Sequence, residues 1–324
     1  MIHYKGSPVS SLYSPHSALV ATSATRPIIA LLLGATSWGI LWYPYRIMQG
    51  NGLPVTVATV LTYLVSITVG GLAFRHAWRE FVAPSSISNA RNTAWMLGIG
   101  LSAGITNVSY LVAIMEAEVL RIVLLFYLAP LWTVPLARLI LKENLGAAGY
   151  ATMAFAMAGA LTMLWRPELG FPAPRNGYEW LGLFAGFAFA LCNVLVKGAA
   201  HFTPEAKSLA GAIGVAGVAL PVALFLGPNI TPINQWPTLA AANALLIVVI
   251  GVVLMSTSVA LQYGLAKLSA NRAAVILLFE LVVAAIAAHY LANETSRLQD
   301  WLGGAMIVAA GLVTVFWPES GDVR

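Results

Sequence analysis

Charge is what this chain has least of. Its 324 residues include 17 Lys or Arg and 12 Asp or Glu, 9% in all, where a soluble domain carries about 25%. So few ionisable groups cannot cover a water-facing surface, which excludes a soluble fold and leaves lipid against most of the exterior. Cysteine is almost missing as well. Cys192 stands alone in an apolar run, so no intramolecular disulfide forms and no metal cluster is signalled. There is no Walker phosphate loop, no H-E-x-x-H and no C-x-x-C, which removes the motif-borne signs of ATP use, zinc hydrolysis and dithiol chemistry. The net charge of +5 comes from Lys and Arg scattered at the ends of apolar segments. Without a basic patch carrying interleaved aromatics, no nucleic-acid partner is expected, and no cofactor or metal either.

What the chain has in abundance is apolar segments of about 20 residues, the length that crosses roughly 30 Å of hydrocarbon as a helix. Spans are expected at 27–48, 55–75, 93–115, 119–141, 146–165, 178–200, 206–227, 238–263, 270–291 and 298–317. The expected fold is an all-α membrane protein of ten transmembrane helices. Residues 1–26, rich in Ser, Thr, Pro and His and lacking the apolar core of a signal peptide, read as a disordered cytoplasmic tail. Residues 166–177 read as a periplasmic linker and 318–324 as a second cytoplasmic tail. With the N-terminus inside, twelve Lys and Arg fall in inner segments and five in outer ones, the bias that sets both termini in the cytoplasm.

The chain also repeats itself. Arg121 and Arg272 stand 151 positions apart, and so do Glu143 and Glu294, Arg46 and Lys197, Trp165 and Phe316, Pro167 and Pro318, and Glu168 and Glu319. A basic residue, a spanning apolar run and an acidic residue at its far end recur in order. This predicts two five-helix units, 27–165 and 178–317. Five is odd, so the second unit enters the membrane inverted. Inverted halves can exchange conformations and open a central site to each side in turn, the geometry of alternating access. A channel or scaffold built by duplication is the other reading. Gly100-x-x-x-Gly104, Gly182-x-x-x-Gly186 and Gly211-x-x-Gly214-x-x-Gly217 predict close helix contact.

Polar residues deep in hydrocarbon are costly, so they are functional candidates. Glu280, amid Ile, Leu, Phe and Val, reads as a cavity carboxyl that binds an amine or carries a proton, or as a protonated group tied to a neighbouring helix. Asn107 and Tyr110 share a helical face with Gly104, and Ser258 and Gln262 share one with Gly251 and Met255. Asn193 lies on span six. If these faces converge they offer donors and acceptors to a small molecule; otherwise they join helices. Trp38 and Tyr127 are deep enough to stack on an apolar substrate or a cation, or simply to pack. Trp42, Tyr43 and Tyr45 read as interfacial anchors. Arg121 opposes the macrodipole of its helix and needs an acid, for which Glu116 or Glu118 is at hand. Glu143 and Glu294 read as structural caps or ion-pair partners. Gly100-Leu101-Ser102-Ala103-Gly104 fits the nucleophile pattern G-x-S-x-G, but it lies within an apolar helix and no histidine reaches it. No enzymatic activity is expected.

Arg121, Tyr127-Leu128-Ala129-Pro130 and Glu143, then Arg272, Glu280, Glu294, Gly303-Gly304 and Gly311, resemble the EamA repeat of the drug/metabolite transporter superfamily over about residues 27–317. The family's second repeat usually reads Glu-Pro where this chain has Glu280-Leu281. Tyr127–Pro130 and Gln262 are similar to the YddG-type exporters of aromatic and other amino acids. The resemblance implies a ten-helix bundle in the bacterial inner membrane that exports amino acids or related metabolites. A multidrug or organic-cation exporter is the alternative. The expected partners are the small-molecule substrate, the lipid bilayer and protons as a candidate coupling ion. Trp38, Asn107, Tyr110, Tyr127, Asn193, Ser258, Gln262 and Glu280 are the substrate-binding candidates.

Overall fold

In a computed structural model of the protein, the described residues are 15–82, 88–117, 119–165, 173–292 and 297–316. Every regular element among them is helical. Hydrocarbon enforces this, because only a helix or a closed barrel satisfies all its own backbone groups. The first unit contains α1 (Pro15–Gly50), α2 (Val55–Ala73), the short surface helix α3 (Arg75–Val82), α4 (Ser88–Glu116), α5 (Val119–Phe126), α6 (Ala129–Leu136) and α7 (Ala147–Leu164). The second contains α8 (Gly177–Gly198), α9 (Pro204–Leu226), the short α10 (Trp236–Ala242), α11 (Ala244–Lys267), α12 (Ala270–Leu277), α13 (Phe279–Ala292) and α14 (Leu298–Phe316). The fourth span joins α5 and α6, and the ninth joins α12 and α13. Nine described segments are long and apolar enough to cross hydrocarbon, and α14 supplies a shorter tenth.

Contacts between the units obey one two-fold rule. Helix α4 packs on α8 and α9, and its counterpart α11 packs on α1 and α2. Helix α8 lies along α5 and α6, and α1 lies along α12 and α13. Directions follow from which residues meet. Gly159 of α7 lies against Gly303, Met306 and Ile307 of α14, while Gly303 also meets Met163. These two helices, the fifth of each unit, therefore run antiparallel. The second helices do the same, since Gly70 meets Leu209 and Gly227 meets Val57. Equivalent helices that oppose each other make the two repeats inverted. The larger apolar core joins α1, α2, α4, α8, α9 and α11 and takes in part of α12. The smaller one joins spans four, five, nine and ten.

Both fourth-position spans are interrupted, and at equivalent places. The helix breaks at Tyr127–Leu128 in one and at Leu278 in the other, 151 positions on. In the first, Pro130 has no N–H for the Phe126 carbonyl, so the turn cannot continue. In the second, Leu281 stands at the proline position. Its N–H donates to the Leu278 carbonyl, 3.0 Å away, three residues back rather than four, so a tightened turn makes the break without proline.

Glycines let the neighbouring helices seat on these breaks. A β-carbon on Gly186 of α8 would lie 2.5 Å from the Phe126 carbonyl oxygen, and one on Gly39 of α1 would lie 2.9 Å from that of Glu280. Gly100 and Gly104 likewise bring α4 onto Gly214 of α9 at backbone contact, whereas Gly217 faces open space.

Several expectations are corrected. Residues 15–26 are helical and extend span one; the stretch from Ala18 to Thr25 has no glycine or proline to stop a helix once the span nucleates it. Residues 1–14 and 318–324 and Glu294 lie outside the described residues. Span eight starts at Ala244 rather than 238. Asn243 separates α10 from α11: it is buried, its amide donates to the Leu239 carbonyl at 2.8 Å, and it accepts from Asn51 at 2.7 Å. Tyr45 is not an interfacial anchor, because its hydroxyl lies 2.6 Å from the fully buried Thr62 hydroxyl. Arg121 finds its acid across the bundle. Its guanidinium donates to both oxygens of Glu179, at 2.9 and 2.8 Å, and to the Ala173 carbonyl at 2.8 Å. Glu116 is exposed, and Glu118 lies outside the described residues.

Arg121 and Glu179 are both about 5% exposed, so removing one strands a buried charge, at a cost of about 3–5 kcal/mol. Arg121→Ala and Glu179→Ala should each lower the unfolding midpoint of the detergent-solubilised protein markedly. The double replacement by Met and Leu should lower it less than either, as a thermal melt of all three will show.

Candidate functional site

The two helix breaks lie where α6 meets α12, and polar groups from both units come together there. The Tyr127 hydroxyl lies near enough to the Glu280 carboxyl to interact with it, and Tyr110 lies close enough to feel that carboxyl's charge. Phe126 is the hub of the surrounding rings. Its centroid is 4.7 Å from Tyr110, 5.2 Å from Tyr127 and 5.4 Å from Phe189 of α8. Local sequence explains the arrangement. The break frees Tyr127 from regular helical register, Gly186 brings α8 close enough for Phe189 one turn later to touch Phe126, and Gly39 brings α1 onto the backbone of Glu280. An acid, two phenols and two phenyl rings therefore form one cluster inside the bundle. A carboxyl there can hold an ammonium, a phenol can donate to a carboxylate, and the ring faces can hold an apolar side chain or a cation.

The other candidates lie elsewhere or are already engaged. Asn107 accepts from the Tyr63 hydroxyl at 3.3 Å and donates to the Ala103 carbonyl at 2.9 Å, so it ties α4 to α2. The face it was expected to share is divided, for Gly104 turns to α9 and Tyr110 to Phe126. Trp38 is half-buried against the larger apolar core, one residue from Gly39. Asn193 and Gln262 are buried and Ser258 is half-buried. Gln262 Oε1 has no hydrogen-bond partner among the described residues, an uncompensated acceptor of the kind a ligand donor would satisfy. The phenols near the Glu280 carboxyl are those of Tyr127 and Tyr110. Ser102 donates to the Gly98 carbonyl of its own helix at 2.6 Å, a helix-internal use of the hydroxyl. Glu143 accepts from the Ala270 N–H at 3.0 Å and so caps α12.

Two functional neighbours escaped the sequence reading. Phe189 was one aromatic in a Phe-rich run; its spacing of three from Gly186 is the signal that places it beside a helix approach. Glu179 looked like a surface acid at the mouth of span six. Its position just after Asn176, whose side chain accepts from the Glu179 N–H, marks a capped helix start where an anion is favoured.

The pattern of the EamA-like transporter family matches residues 25–165 and again 177–316. The chain belongs to this family. It is 26% identical over 293 residues to an uncharacterized transporter of Archaeoglobus fulgidus, with 86% of this chain and all of that one covered. A solved crystal structure superposes with a TM-score of 0.66 at 19% identity, covering 89% of this chain and 96% of the other. That likeness concerns the fold alone. The two family matches fall on the two inverted repeats, so this member of the EamA-like family is a membrane transporter.

Gly186→Val in this transporter should push α8 off the Phe126 carbonyl, an overpacking cost of about 1–3 kcal/mol. Gly217→Val, which faces open space, should leave the melting midpoint unchanged in the same assay.

Proposed function

We propose that the protein exports amino acids or related small metabolites across the bacterial inner membrane by alternating access, with both termini in the cytoplasm. The observation that carries this reading is the contact between Tyr127 of one repeat and Glu280 of the other, at equivalent breaks in inverted helices. Substrate can enter that contact as a third partner. Its ammonium replaces the Tyr127 hydroxyl on Glu280, its carboxylate accepts from the released phenol, and its side chain lies on Phe126, Phe189 and Tyr110. The aromatic lining supports the similarity to YddG-type exporters of aromatic amino acids. Gln262, Asn193, Ser258, Asn107 and Trp38 line the route that opens when the halves move. The Lys and Arg bias supports the orientation, and protons are the proposed coupling ion, since Glu280 is a membrane-embedded carboxyl.

A second reading is export of drugs or organic cations. The cluster of four aromatic rings, two of them beside the Glu280 carboxyl, favours it, because a quaternary or delocalised cation needs no carboxylate partner.

Proteoliposomes loaded in parallel with amino acids and with organic cations, with and without a pH gradient, decide between the two. Saturable amino-acid flux that falls roughly tenfold or more in Glu280→Gln is expected, the loss that one charge-assisted hydrogen bond represents. Saturable flux of organic cations alone would establish the second reading. Unsaturable flux would indicate a channel, and undiminished transport by a folded Glu280→Gln protein would remove Glu280 from the site.

A further inference from the structure

The two units are bonded to each other at both ends of the α2–α9 pair, and the bonds there follow the internal repeat. Glu80 of α3 accepts from the Thr203 N–H at 3.1 Å and from the Thr203 hydroxyl at 2.7 Å. The residues 151 positions from these two are Thr231 and Gly52. They are bonded as well, the Thr231 hydroxyl donating to the Gly52 carbonyl at 3.0 Å. Beside each of these contacts stands a second. Nε2 of His201 lies 3.2 Å from Oδ1 of Asn92, and the Asn51 amide donates to Oδ1 of Asn243 at 2.7 Å. Asn92 and Asn243 are again 151 positions apart, and Asn51 is one residue from the counterpart of His201.

Helices α2 and α9 run antiparallel, so the two sets of contacts lie at opposite faces of the membrane. Glu80 and Thr203 stand beyond the end of α2 and before the start of α9, Gly52 and Thr231 before the start of α2 and beyond the end of α9. Every one of these contacts joins a residue of one unit to a residue of the other. Parting the units at one face therefore breaks one set and leaves the other intact. The chemistry of the two sets differs. At the α3 end a carboxylate takes two donors, and the Thr203 hydroxyl also accepts from the Ala206 N–H at 3.2 Å, so the negative charge sits at the capped start of α9, where it is favoured. At the other end every group is neutral, and Gly52, at φ +91°, turns the chain where Thr203 caps a helix. Bonds to an ionised acceptor are roughly twice as strong as neutral ones, so the α3 end is the more firmly closed.

We propose that these contacts are equivalent latches, one for each face of the membrane, and that transport opens them in alternation. Glu80 and Thr231 are their positioning residues. When the α3 end parts, the bond between Thr231 and Gly52 holds the opposite end shut, and when that end parts, Glu80 holds Thr203. The firmer latch at the α3 end tilts the balance towards the state open at the opposite end, which faces outward in the orientation proposed above. Latches of this kind require the alternating-access part of the proposed function but no particular substrate.

Hydrogen–deuterium exchange of the full-length protein in lipid nanodiscs, with no transported solute present, tests this at residues 200–209 and 49–58, the segments that the two latches hold. Glu80→Ala should speed exchange at 200–209 about tenfold, the loss that a charge-assisted bond represents. It should also slow exchange at 49–58, because the protein then visits the state open at that face less often. Thr231→Val should do the reverse, with a rise of about fivefold at 49–58 for one neutral bond. Glu80→Gln, which keeps the shape without the charge, should fall between Glu80→Ala and the wild type. His201→Ala, at an exposed side chain, should shift both segments in the sense of Glu80→Ala and decides the matter should that variant not fold. A change confined to the substituted end would mark a helix cap rather than a latch and would overturn the proposal, as would parallel loosening of both ends or no change at either. Opposite shifts in a protein without amino-acid flux would uphold the latches and remove only the substrate reading.

Discussion

Inside hydrocarbon every backbone donor and acceptor needs a partner within the protein, and the architecture follows from that demand. It makes each span a helix, and it makes any interruption of a span costly unless a neighbour closes over it. This chain interrupts two spans at places related by its internal repeat. Each break is covered at close range by a helix of the opposite unit through a glycine, Gly186 over Phe126 and Gly39 over Glu280. The breaks are thus among the points where the two repeats meet at backbone contact. They also put Tyr127 and Glu280 in contact, so the backbone irregularity and the polar chemistry have one origin.

The two-fold topology is carried by unequal chemistry. Pro130 breaks one span and a tightened turn at Leu281 breaks the other. Arg121 has Glu179, whereas the equivalent helix start at Arg272 borders a small polar cavity. Gly214 is pressed between Gly100 and Gly104, but Gly217 touches nothing. A pair of chemically identical halves would favour neither of two mirror-related arrangements. On the proposed transport cycle, each such difference biases the balance by its own differential stability. The buried ion pair joins the starts of spans four and six.

Much of this was legible in the sequence because membrane solvent leaves few options. Charge scarcity gave the environment, run length gave the spans, and the recurrence of Arg121 and Glu143 gave inversion through the parity of five helices. The glycine pairs marked real backbone contacts. What escaped was set by distance in the chain. Arg121 was matched to acids three and five residues away, while its partner lies 58 positions on. Asn107 was placed on a substrate face from helical spacing, but a tyrosine from another helix takes its acceptor. Asn243 sat unremarked in an apolar run and ends a helix by bonding to Leu239 and Asn51. Of the eight binding candidates, Tyr110, Tyr127 and Glu280 come together, and that junction depended on a break whose second copy lacks the residue that normally signals one.

The most direct measurement is site-resolved carbodiimide modification of Glu280 in proteoliposomes, read by peptide mass spectrometry with and without a saturating transported solute. A solute that binds between Tyr127 and Glu280 covers the carboxyl, so modification should slow sharply in its presence and quicken in Tyr127→Phe without solute. An identical rate of Glu280 modification with and without solute would contradict the account and move the binding site away from the paired helix breaks.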